Sequence, residues 1–116
     1  MSTETRYQTY EDFFPFYLTE HSKETTRWFH YIGTSFALIC FALFLTSLDY
    51  IYLLAGLVGA YGLAWISHFF VEHNKPATFK YPFWSYLADH HMLWLALTGR
   101  IKPAMDDAHR RISAKS

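Results

Sequence analysis

One acidic residue divides the most apolar part of this chain into two equal arms, and that symmetry limits the folds open to it. His30 and His68 each lie nineteen residues from Asp49, the only charged residue between Trp28 and Val71. Neither arm contains proline, so each can run as an unbroken helix. Nineteen residues at ~1.5 Å per residue climb about 28 Å, close to the ~30 Å hydrocarbon thickness of a bilayer. A tight turn at residues 47–50 folds the arms into a hairpin and returns both histidines to the same edge. Chemistry is expected at that edge.

Composition agrees with a chain that meets lipid. Aromatic residues make up 21% of the sequence and charged residues 17%, the latter below the usual quarter. Net charge is zero, but all ten Lys and Arg residues lie outside the apolar block: three before it, two just after it and five from Arg100 onward. The competing account is a soluble helical protein with one very apolar hairpin. A cleavable signal peptide is not expected, because the first 27 residues carry five acids and no continuous apolar run. The single cysteine, Cys40, excludes a disulfide frame or a cysteine metal site. The only basic cluster, Arg100–Lys115, is diluted by Asp106 and Asp107, so no nucleic-acid partner is expected.

The expected fold is all-α: a small integral membrane protein, residues 1–116 forming a single domain. Asp12 is placed as the cap of a short amphipathic N-terminal helix with Pro15 in its first turn and Phe13, Phe14, Phe16 and Tyr17 as an aromatic surface. Ser22 is placed as the cap of the next helix. Spans follow at about 28–48 and 51–71. Gly33 and Ala37 in the first, with Gly56, Ala60 and Ala64 in the second, recur at intervals of four, a spacing that lets two membrane helices approach closely. Asn74-Lys75-Pro76 ends the second span. A third segment, about 82–97, is short and carries Asp89, His90 and His91 at its middle, so it reads as interfacial or re-entrant. A basic tail occupies 100–116. With two spans, the termini and the Lys75–Lys80 loop share one side, which the positive-inside rule makes cytoplasmic.

The histidines carry the strongest functional signal. His21 sits in the break before the first span, His30 in its first turns and His68 in the last turn of the second. Glu72 follows His68 by four residues, on the same face of an α-helix. Imidazoles with a carboxylate and an open position form the ligand set of non-haem iron(II) oxygenases, although zinc accepts the same set. His21, His30, His68 and Glu72 are therefore the candidate ligands, with Asp89, His90 and His91 as further candidates. His73 falls off the shared face. Arg27, one turn before His30, is a candidate for binding a substrate carboxylate, against the alternative of a snorkelling residue that anchors the helix end. Two rivals stand beside an oxygenase. One is a haem- or quinone-binding membrane subunit, and the other a non-catalytic scaffold with interfacial histidines. The spacing of His68 to His73 and the His90-His91 pair echo the boxes of membrane desaturases without completing the set.

Glu20-His21, Arg27, His30 with Gly33, and the run His68-Phe69-Phe70-Val71-Glu72-His73-Asn74-Lys75-Pro76-Ala77 resemble the Mpo-type family, from about Phe13 to Arg100. The Pro-Ala-Thr-Phe-Lys-Tyr-Pro run and the Thr98-Gly99-Arg100 ending are similar to its compact bacterial branch. The resemblance implies an integral membrane, Fe(2+)-dependent dioxygenase, in a bacterial inner membrane, that shortens a long-chain 2-hydroxy fatty acid by one carbon with O2. It puts the functional histidines on His21, His30 and His68; Glu72 matches the motif glutamate, and its ligand role is an inference from its spacing to His68. Burial of the alkyl tail, at ~0.8 kcal/mol per methylene, implies a preference for long chains. The oligomeric state is open.

Overall fold

The computed structural model describes residues 7–115, which form helices and no strand. Helix α1 spans Tyr10–Thr19, α2 Glu24–Ser47, α3 Ile51–Ile66, α4 Pro82–Leu97 and α5 Ile101–Lys115. Helix α3 continues directly into a π-helical segment, Ser67–Glu72, and a 3-10 turn at Ala77–Phe79 precedes α4.

Helices α2 and α3 form the expected hairpin. Leu48 ends α2 in the left-handed region, at φ 58°, and the Asp49 carboxylate accepts the Ile51 N–H at 3.0 Å. The lone charge of the apolar block thus serves the turn by satisfying a free donor at the start of α3. Small residues set the helix spacing. A Cβ on Gly33 would lie 3.3 Å from Ala60 Cα, and one on Gly56 would lie 3.1 Å from Cys40 Cβ and 3.4 Å from Ala37 Cα. The four-residue recurrence of Gly and Ala is the seam along which the arms touch.

Both arms are long and apolar enough to cross a membrane, as Glu24–Ser47 and Ile51–Glu72. Only 28% and 17% of their most apolar stretches are buried, so Ile39, Leu45, Leu54 and Val58 stand exposed. A core helix of a soluble protein would be mostly covered. The packed core lies instead at the histidine end, where Phe13, Tyr17 and Leu18 of α1 meet Tyr81, Ala88 and Met92 of the α4 region and Met105 and Ala108 of α5.

Several local expectations change. Thr9 caps α1, its side chain accepting from the Asp12 N–H, and Asp12 lies in the first turn. Pro15 sits inside α1, six residues in, where it removes one helical donor. Ser22 does not cap α2; Lys23 holds the cap position without a side-chain bond. Helix α2 starts a turn before the expected start of the first span, at Glu24. Residues 101–115 are a helix and not merely a charged tail. Ile101, Ala104, Met105 and Ala108 recur at helical spacing and join the core around α1.

Candidate metal centre

Three imidazoles meet where the break after α1, the first turns of α2 and the end of the second arm converge. His21 lies in the break, His30 two turns into α2 and His68 in the π-helical segment, and all three are buried. Their Nε2 atoms form a nearly equilateral triangle, with His21–His30 at 3.1 Å, His30–His68 at 3.2 Å and His68–His21 at 3.0 Å. Each outer nitrogen faces an oxygen. His21 Nδ1 is 2.6 Å from the Tyr17 carbonyl, His68 Nδ1 is 2.7 Å from Asn74 Oδ1 and His30 Nδ1 is 3.2 Å from Asp89 Oδ1.

Those oxygens settle where the protons sit. A carbonyl and a carboxylate only accept, so Nδ1 of His21 and of His30 must donate. The Asn74 amide is oriented by its own Nδ2, which donates to the Glu20 carbonyl at 3.1 Å and to Glu20 Oε1 at 3.3 Å. Its Oδ1 therefore faces His68 as an acceptor. With all three protons on the outside, the inner nitrogens present three bare lone pairs to one another within about 3 Å. No hydrogen bond can join two acceptors, and burial excludes the water that would otherwise serve them. Three such nitrogens facing one point could hold a metal ion.

The size fits as well as the chemistry. The three nitrogens, 3.0–3.2 Å apart, are close enough together to be ligands of one ion. The group also meets the pattern of ligating histidines, whose second nitrogen is held by a carbonyl or carboxylate. Burial, and then the neighbouring imidazoles, holds His21 well below the usual histidine value, so its neutral, ligating form prevails at neutral pH. His21, His30 and His68 are the one such group of metal-competent side chains among the described residues.

A family model described as 2-hydroxy-palmitic acid dioxygenase Mpo1-like matches residues 7–101. The chain belongs to this family. The match takes in all three histidines, the π-helical segment and α4. No curated protein and no solved structure matches the chain.

The remaining site candidates of this Mpo1-like chain take other places. Glu72 is not in the triangle; its carboxylate accepts the Lys23 N–H at 2.6 Å, next to the Lys23 Nζ that donates to the Val71 carbonyl at 2.9 Å. It thereby does for the start of α2 what a capping side chain would do. Arg27 is likewise engaged, its Nη1 donating to the His21 and Ser22 carbonyls at 2.9 Å each. Those two bonds tie Arg27 to the break that carries His21. Asp89 stands behind His30 and also accepts the Tyr17 hydroxyl. Burial, then the Asp89 charge, raises the Tyr17 phenol well above its usual value, so it stays a donor. His91 stacks on Phe14 at 3.9 Å between centroids and meets the Tyr10 hydroxyl at 3.0 Å through Nδ1. His90 packs edge-on against Tyr86 at 4.7 Å. Neither belongs to the metal-competent group.

Asn74 and Tyr17 are the partners of the histidine triangle that the sequence reading did not single out. In a continuing α-helix, residue 74 would project from a different face than residue 68. The π-helical segment and the left-handed His73, at φ 62°, bring it back beside His68, and π segments recur at functional sites. Beyond the triangle, a cavity of about 250 Å³ opens between α2 and α3, with His30, Asp89 and His90 lining it alongside Leu38, Phe41 and Leu53.

Proposed function

We propose that the protein is an integral membrane, Fe(2+)-dependent dioxygenase that shortens a long-chain 2-hydroxy fatty acid by one carbon. The family name supports the substrate and the reaction class. The observation that carries the metal dependence is the triangle of mutually facing Nε2 atoms of His21, His30 and His68. The exposed apolar arms support insertion in a bilayer, and the distribution of basic residues supports cytoplasmic termini.

Iron held by these three histidines would supply activation of O2 and a positive site for the substrate's carboxylate and hydroxyl. The chain supplies the rest. Tyr17, Asn74 and Asp89 keep each imidazole in its ligating tautomer and at a fixed angle. The apolar walls of α2 and α3 exclude water from the reacting end. A 2-hydroxy acid and one O2 balance as the acid one carbon shorter, carbon dioxide and water, so no outside reductant is required.

A haem reading is disfavoured by the same distances. Axial ligands approach a haem from opposite faces, whereas these three nitrogens cluster within 3.2 Å of one another. Metal analysis tests the proposal directly. Purified wild type is expected to hold about one iron per chain, and alanine at His21, His30 or His68 to abolish it while the helical circular dichroism persists. Glu72→Ala is expected to retain iron, because its carboxylate serves α2. Iron lost only from Glu72→Ala, or from none of the four, would remove the assignment.

A further inference from the structure

We propose that the cavity between α2 and α3 receives the alkyl chain of the substrate, with its head at His30 and its methyl end between Phe41 and Leu53, so that this groove sets chain-length preference. The inference rests on the dioxygenase reading of the histidine site and adds where the rest of the substrate lies.

The cavity has two chemically distinct ends. At one end stand His30, which is also a corner of the histidine triangle, with Asp89 and His90. At the other are Leu38, Phe41 and Leu53. From His30 to Phe41 is eleven residues of one helix, about 16 Å at 1.5 Å per residue, room for an extended chain of roughly a dozen carbons. The groove exists because its floor is built from small residues. Ala37, Gly56 and Ala60 line it, and they are also the residues at which the two helices come within contact distance. Larger neighbours on either side become walls.

Its position suits a lipid-borne substrate. Leu38, Phe41, Leu53 and Leu57 line the cavity and are each more than a third exposed, so it opens sideways onto the apolar surface of the hairpin. An alkyl chain dissolved in the bilayer can enter from that side without crossing water. Its carboxyl end then reaches the histidine edge, where aromatic and polar residues collect. A cavity of uniform polarity, or one closed off from His30, would have no such direction.

Two measurements test this. A 2-hydroxypalmitate analogue carrying a diazirine at its methyl end is photolysed on the iron-loaded protein in lipid nanodiscs, and the labelled residues are mapped by mass spectrometry. Label is expected within residues 38–41 and 52–57, reduced at least fivefold by excess 2-hydroxypalmitate. Label spread evenly over the exposed faces of α2 and α3, or unaffected by competitor, would mean that ordinary lipid occupies the groove and would overturn the proposal. Leu57→Trp then shortens the groove from an exposed position. It is expected to lower the ratio of kcat/KM for 2-hydroxypalmitate over 2-hydroxyoctanoate at least tenfold. Val58→Trp, on the neighbouring exposed surface, is expected to leave that ratio within twofold of wild type. Equal ratios in the two variants would count against the groove. If wild type turns over neither acid, the dioxygenase reading fails, and the competed label still decides whether the groove binds the chain.

Discussion

Whether the three imidazoles can hold an ion depends on atoms one bond-length further out. His68 is the most informative case, because its outer partner is a side-chain amide, removable by substitution, and not a backbone carbonyl. Asn74 Oδ1 takes the Nδ1 proton at 2.7 Å, and two contacts to Glu20 prevent the amide from turning over. Replacing Asn74 by alanine removes that acceptor and frees the ring to rotate or to carry its proton on Nε2. Loss of such a partner typically weakens metal binding 10–100-fold, and Asn74→Ala is expected to fall in that range by chelator competition, with His21 and His30 intact. A change below threefold would show that the amide does not orient the ring. Histidines 21, 30 and 68 were legible in the sequence because each sits at a helix end or break that the hairpin symmetry places at one edge. Asn74 was not, since its approach depends on a π-helical segment and a positive φ at His73 that no side-chain pattern announces.

At the scale of elements, the hairpin and its partners were readable to different degrees for physical reasons. The α2–α3 seam follows from Gly and Ala at intervals of four, a pattern with one geometric meaning when the arms are antiparallel neighbours. A carboxylate four residues after a histidine has two uses, ligand or cap, and the Glu72 carboxylate accepts the Lys23 N–H at the start of α2. Helix α5 was obscured by charge. Lys102, Arg110 and Arg111 dominate the composition, while the buried stripe is made of alanine, methionine and isoleucine. The seam itself makes a sharp prediction. Gly56→Val places a branched side chain where a Cβ alone would already stand 3.1 Å from Cys40 Cβ and 3.4 Å from the Ala37 backbone. Overpacking of this kind costs about 1–3 kcal/mol, against a helix-propensity gain of well under 1 kcal/mol over glycine. The variant is expected to unfold at lower denaturant than wild type in the same detergent. An unchanged midpoint would mean that the arms do not touch there.

The whole molecule has an uneven distribution of packing, and its shape records that. The Cα radius of gyration is 14.9 Å and the extents are 49 × 32 × 28 Å, against about 13 Å expected for a compact chain of this length. The excess comes from two apolar arms projecting from a core built by α1, α4 and α5 at the histidine end. In water such arms would expose large hydrophobic side chains along most of their length, whereas a bilayer supplies their missing surroundings. On the bilayer reading proposed above, the turn at Asp49 would emerge on one side, with α5 and the Lys75–Lys80 loop on the other. Site-specific labelling can read this directly, because the only native cysteine, Cys40, is buried. In sealed vesicles or intact cells, Asp49→Cys is expected to react with a membrane-impermeant maleimide, and Ser113→Cys only after the membrane is opened. Reaction of both from the same side would mean that the hairpin does not cross. The histidine edge would then lie in a different environment, and entry of an alkyl chain from within the bilayer would lose its physical basis.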